Sequence, residues 1–232
     1  MATIGGAVGR KLADVGHNRG RPLLSVAILP LVFVAEAALP PSLTIATQQS
    51  IDIAAPPPRV WQALISDAPI AGEVRLVALA GFAYPVRGRL LGHEVGATRL
   101  GEFSTGVARE RVTTWEPAKR LAFVVVDQPA MMEEMSPYRR VHAPHLHGYF
   151  VTDATSFELT ELPSGGTRLV ARATHRLRID PVLYWEPLAR WAISMNVTRV
   201  LQSIKGASEL SPGAGVARLR SRPQSPVQYS SR

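Results

Sequence analysis

The chain has 232 residues, 46% of them hydrophobic and 19% charged, which suits one globular domain with appendages and excludes a disordered chain. It contains no cysteine, which rules out disulfides, thiolate metal sites and a cysteine nucleophile but leaves the compartment open. The net charge of +8 sits mostly at the ends, with +2 on residues 1–50, +4 on residues 205–232 and only +2 between them, so no nucleic-acid partner is expected.

Residues 1–21 are glycine-containing and basic, with Arg10, Lys11, Arg19 and Arg21, and hold no core element. Leu23 to Leu39 is the most apolar run, 17 residues interrupted by Pro30 and Glu36, and marginal beside the roughly 20 residues of a spanning helix. A basic flank before an apolar run is the layout of a signal peptide or signal-anchor, and Ala35-Glu36-Ala37 is a small-x-small cleavage site. Retained as an anchor, the same run leaves the folded part on the non-cytoplasmic side; as a leader packed on the domain, it does neither. The expected location is membrane-associated or exported, with cytoplasmic as the alternative. Pro40-Pro41 closes the segment.

Ala46 to Ile65 organises the rest of the chain. Ser50, Ile51, Asp52 and Ile53 alternate like a strand, Pro56 to Pro58 stop it, and a helix opens at Arg59 with Val60, Trp61 and Leu64 on one apolar face. Asp67 to Glu73 is expected to form a turn with a short second helix. Hairpins come next. Arg87–Leu91 and Ala97–Phe103 flank GHEVG, Gly106–Trp115 and Leu121–Asp127 flank EPAKR, and Phe157–Leu162 and Thr167–Ile179 flank PSGG. In the last strand Leu169, Ala171, Ala173, His175, Leu177 and Ile179 face one way and Arg168, Arg172, Arg176 and Arg178 the other, the pattern of an antiparallel sheet with one wet face. Gln128 to Tyr149 is a long irregular connection of the kind that carries function. A long helix follows from Pro181 to about Ile204, with Pro187 inside it. It carries two adjacent apolar stripes, Val182, Trp185, Ala189, Ile193, Val197, Val200, Ile204 and then Tyr184, Leu188, Trp191, Ala192, Met195. The tail from Ser211 is expected to be disordered.

The order strand, two short helices, six antiparallel strands and long helix resembles the START-like helix-grip superfamily (SRPBCC). Gly96–Arg99, Phe103–Gly106, Glu110–Pro117, Arg120–Phe123, Pro144–Gly148, Gly166–Leu169 and Pro181-x-x-Tyr-Trp185 are similar to its polyketide cyclase/dehydrase-like group, in a branch found behind membrane segments. The resemblance covers about residues 51–208. It implies an α+β fold in which a seven-stranded curved antiparallel sheet grips a long C-terminal helix, with two short helices after the first strand and an apolar cavity between sheet and helix. It also implies a hydrophobic small-molecule ligand (a lipid, polyketide or similar), whereas a minority of members are enzymes. The expected organisation is a basic and apolar N-terminal segment at 1–42, a ligand-binding domain at 43–208 and a basic tail at 209–232.

Trp61, Phe123, Phe157, His175, Tyr184, Leu188, Trp191 and Met195 are the expected cavity wall, with Met131, Met132, Tyr138 and His145 as a gate. Soft methionines beside an aromatic ring suit a lid over an apolar ligand. His142, His145 and His147 form H-x-x-H-x-H, but nothing else has metal-ligand spacing and no metal is expected. No cofactor motif is present. Glu102 or Glu110, paired with Arg99 or Arg109, and His175 are the catalytic candidates if the cavity does cyclase, aromatase or dehydratase chemistry, moving a proton beside a ketone while a donor holds the enolate oxygen. A third reading is an interaction module whose cavity is filled by side chains.

Overall fold

The computed structural model describes residues 42–133, 148–179 and 182–210, apart from the side chains of residues 183 and 184. The elements are β1 (Leu43–Ile53), α1 (Pro57–Ile65), α2 (Arg75–Leu79), β2 (Pro85–Leu90), β3 (Thr98–Phe103), β4 (Gly106–Glu116), β5 (Arg120–Asp127), β6 (Phe150–Glu161), β7 (Thr167–Leu177) and α3 (Val182–Glu209). The strands form one antiparallel sheet in the order β1-β7-β6-β5-β4-β3-β2, and α3 lies along its inner face, which is the helix-grip architecture. Among the described residues no helix is long and apolar enough to cross a membrane.

Two elements differ most from expectation, while β7 stops two residues short of Ile179 and α3 runs past Ile204 to Glu209. The second short helix forms at Arg75–Leu79 and not over Asp67–Glu73. Pro69 cannot donate within a helix, and Gly72 has a φ of +105° that ends any helical run before it. β6 begins seven residues earlier than the alternation from Phe157 implied, because a bulge between Thr152 and Ala154 breaks the period of two.

Local chemistry places the pieces. Pro57 and Pro58 occupy the first turn of α1, where missing N–H groups cost nothing, and the helix buries Val60 and Trp61. On the outer face of the sheet the β7 arginines meet acids of the neighbouring strands, Arg168 with Asp52, Arg172 with Glu158 and Arg176 with Asp153. Such exposed pairs contribute little stability each but keep that face wet. Arg199, nearly buried, fastens α3 to the connections around the short helices. It donates to the carbonyls of Ile70 (2.9 Å) and Pro85, and its guanidinium lies 5.7 Å from the Tyr84 ring.

The core is in two parts. Ile53, Val60, Trp61, Leu121, Leu169, Leu201 and Ile204 fill one end of the space between sheet and helix, and Ile45, Leu177, Ala189 and Ile193 the other. The junction of β1 and β7 closes the first part tightly. Thr167 is fully buried and donates to the Ala55 carbonyl at 2.7 Å, while a Cβ on the adjacent Gly166 would lie 2.7 Å from the Ile53 carbonyl oxygen. Backbone cannot step aside as a side-chain tip can, so Gly166→Ala is expected to cost about 1–3 kcal/mol, read as a lower urea midpoint at unchanged slope.

Candidate functional site

Between the two core clusters the interior is not filled. A cavity of about 210 Å³ lies there, lined mostly by apolar side chains of β3 to β7 and α3. Phe123, Val125, Phe157 and Ala171 form its sheet wall, and Trp185, Ala189, Ile193, Val197 and Val200 its helix wall. Phe82, Met131 and Met132 lie over one side. There the segment after α2 and the segment after β5 are joined by a short antiparallel bridge, with Ala83 N–H donating to Met131 O (3.0 Å) and Glu133 N–H to Gly81 O (2.8 Å).

Of the expected wall residues, Phe123, Phe157 and His175 line this space. Trp61 does not. It is 4% exposed and packs edge-to-face on Trp115, with ring centroids 5.1 Å apart, in the filled end of the core. Leu188, Trp191 and Met195 also lie off the cavity: Trp191 packs against Phe82, and Met195 is 37% exposed. The reason is geometric. The stripe of α3 that enters the core at Val200 and Ile204 must face the sheet along its whole length, so Trp185, Ala189, Ile193 and Val197 make the wall, and of the adjacent stripe Ala192 joins them while Leu188, Trp191 and Met195 turn aside. The side chain of Tyr184, the gate residues Tyr138 and His145, and the other histidines of H-x-x-H-x-H lie outside the described residues. Of the residues expected to form a gate, the structure describes Met131 and Met132, and both line the cavity. Among the described residues no group of three or more acidic or histidine side chains is placed to hold a metal ion.

Polar side chains line the cavity at several positions, Arg87, Arg172 and Asn196 among them, and at two places they form clusters. At the β3–β4 end Arg99 and Glu110 are directly opposed across the ladder, and their side chains form an ion pair through Nη1 and Oε2. Glu110 is 6% exposed, and the Arg99 guanidinium lies 4.5 Å over the Phe123 ring. Two glycines make room. A Cβ on Gly88 would overlap the Arg99 guanidinium, and one on Gly101 would come within 3.1 Å of Glu110 Oε1. Burial pushes the Glu110 carboxyl above its ordinary value, with Arg99 pulling it back only in part. The other candidates turn away: Glu102 sits near Arg87 (3.7 Å) and Arg89 (3.4 Å) and does not line the cavity, and Arg109 is exposed on the opposite face. Alternation along β4 carries this distinction, since Ala108, Glu110 and Val112 are buried while Val107, Arg109 and Arg111 are exposed.

At the β1–β6–β7 end His175, 6% exposed, sits between two threonines. Its Nδ1 is 3.0 Å from Thr152 Oγ1, its Nε2 is 3.4 Å from Thr47 Oγ1, and the Phe150 ring stacks on it at 5.1 Å. The bulge in β6 makes this possible. It turns Thr152 inward and Asp153 outward to Arg176, where an unbroken strand would have sent the carboxylate toward His175. Gln128 seals the gap beyond the β5–β6 pairing, donating to Phe150 O (2.7 Å) and accepting from Thr152 N–H (2.9 Å). Sequence reading missed Thr47, Thr152 and Gln128; the bulge hid Thr152, whose inward sense alternation could not give.

Burial holds the His175 imidazole at a pKa of about 4, against a smaller opposing pull from Asp153, so it is neutral at pH 7. A folded value below the unfolded one means that the native state binds fewer protons, so this stability is complete above about pH 6.5 and drains away as pH falls toward 4. Denaturation of the protein at pH 7.5 and 4.5 is expected to show a His175-dependent loss of about 2–3 kcal/mol. His175→Gln should flatten that dependence.

No protein-family model matches the chain, and no curated protein matches it. Solved structures of similar shape include the Zhui aromatase/cyclase from Streptomyces sp. R1128, at 12% identity over 72% of this chain and 94% of that one, TM-score 0.47. A truncated norcoclaurine synthase from Thalictrum flavum is 11% identical over 73% of this chain and 96% of that one, TM-score 0.45. The Aha1 dimer from Colwellia psychrerythraea is 22% identical over 73% and 99%, TM-score 0.41. These are likenesses of shape alone; the strand order and register carry the fold by themselves.

Proposed function

We propose that the chain binds a hydrophobic small molecule between the sheet and α3. The observation that carries this reading is a mostly apolar cavity of about 210 Å³ into which one buried ion pair projects, with two glycines making room for that pair. A dry cavity of about 150 Å³ accommodates benzene, so this one is of a size for one or two fused rings or a short branched chain. Apolar burial supplies the driving force, and a few polar groups orient the ligand. The unfilled interior is evidence against an interaction module with a closed core.

The test is native mass spectrometry with organic extraction on protein purified without detergent. A co-purifying apolar molecule supports the reading. An empty protein that no panel of apolar compounds stabilises against heat overturns it.

A second reading, an enzyme of cyclase, aromatase or dehydratase type on the same cavity, has one observation in its favour. Glu110, with its carboxyl raised, and Arg99, with N–H donors to spare, converge on the same wall, which is the acid–donor pair that enolate chemistry needs. Turnover of the extracted ligand class that disappears in Glu110→Gln would establish it.

For location, the apolar run at residues 23–39 supports membrane attachment or export. Fractionation of cells making C-terminally tagged protein tests this, and a wholly cytosolic full-length product overturns it.

A further inference from the structure

Resting on the ligand-binding reading, we infer that the ligand is a neutral, two-ended molecule: an apolar ring body with a carbonyl oxygen held by Arg99 at one end and a hydroxyl donated to the Thr47–Thr152–His175 cluster at the other.

The two ends differ in kind. Arg99 has five N–H donors and no acceptor, and among the described residues its guanidinium bonds only to Glu110. That end asks for an acceptor oxygen. It does not ask for a second negative charge, because Glu110 already supplies one, and a ligand carboxylate would repel it. A ketone oxygen fits, and a carboxylate or an ammonium does not.

The other end asks for a donor. Thr47 Oγ1 donates to Ala173 O (3.4 Å), so its contact with His175 Nε2 has the imidazole N–H donating. That leaves Nδ1 as the acceptor, and Thr152 Oγ1 donates to it. Both hydroxyl protons and the imidazole N–H are then committed, and what remains toward the cavity is lone pairs on the threonine oxygens. A ligand hydroxyl satisfies them.

Between the ends the wall is mostly apolar, with Phe123, Phe157, Ala171 and Val197 lining the space and Asn196 of α3 a polar neighbour on the helix side. Arg99 on β3 and His175 on β7 are four strand spacings apart, roughly 19 Å along the curled sheet, and both side chains reach inward from there. A rigid two-ring body with oxygens at opposite ends matches such a gap.

The experiment measures dissociation constants of the full chain by titration calorimetry for four probes: naphthalene, 2-naphthol, 2-acetylnaphthalene and 6-acetyl-2-naphthol. Each oxygen is expected to tighten binding about tenfold, with 6-acetyl-2-naphthol the tightest. In Thr152→Val the gain from the hydroxyl should vanish and that from the acetyl group persist. In Arg99→Met with Glu110→Met, an exchange that removes both charges together, the reverse should hold, and naphthalene binding retained by both variants shows that they fold. If naphthalene binds wild type as tightly as 6-acetyl-2-naphthol, the two-ended ligand is wrong and the binding reading stands. If none of the four binds, the binding reading itself is overturned.

Discussion

Arg99→Met is expected to destabilise the protein by about 3–5 kcal/mol at pH 7.5, whereas the double variant with Glu110→Met should lie close to wild type or above it. The single change leaves a carboxylate that is 6% exposed without its cation, and the double change replaces a buried ion pair by two apolar chains of similar length. The direction with pH is fixed by the same carboxyl. Its folded value lies above the ordinary 4.5, so the native state holds the proton more tightly than the unfolded chain. Its contribution is therefore most favourable in acid and declines as pH rises through the folded value. Removing Arg99 raises that value further. The deficit of Arg99→Met relative to wild type should be smallest near pH 4.5 and grow toward pH 8. A deficit independent of pH would mean that Glu110 is not the group responsible. Taking the difference between variant and wild type cancels the opposite trend from His175.

Trp61→Ala should cost about 3–5 kcal/mol as well, but through packing. The ring is almost wholly buried among Val60, Leu121, Leu169 and Leu201 and meets Trp115 edge-on. Because Trp61 lies outside the cavity, the affinity of the folded fraction for any probe is expected to be unchanged, while Phe157→Ala, on the wall itself, should lose both stability and affinity. Denaturation midpoints and calorimetric affinities on the two variants separate the roles. Lost affinity in Trp61→Ala, measured where the variant is fully folded, would bring it back to the wall.

That contrast also marks how far the residues speak for themselves. Strand order and strand faces were legible because alternation in β4 and β7 is nearly unbroken, and because proline or glycine closes each hairpin. The cavity wall on α3 was half legible. Periodicity found two apolar stripes, but which of them faces the sheet depends on the helix's docking angle, a tertiary quantity. Arg99 and Glu110 stood out as types, yet only register sets them opposite each other and sends Glu102 to the other face. Thr152, the partner of His175 on β6, was hidden by a single bulged residue, which inverts the inward and outward sense of everything before it in that strand.

The position of β1 at the edge of the sheet beside β7 bears on how the chain is born. Gln48, for example, meets Arg172 at a separation of 124 residues. During synthesis at about 5–20 residues per second, the first strand waits roughly 6–25 s before β7, its strand partner among the described residues, exists. A finished alternating strand with unpaired backbone on both edges invites other nascent chains in that interval. β1 can therefore pair only once β7 has been delivered, and α3 follows later still, so the rate of synthesis sets how long each new molecule remains open to misassembly.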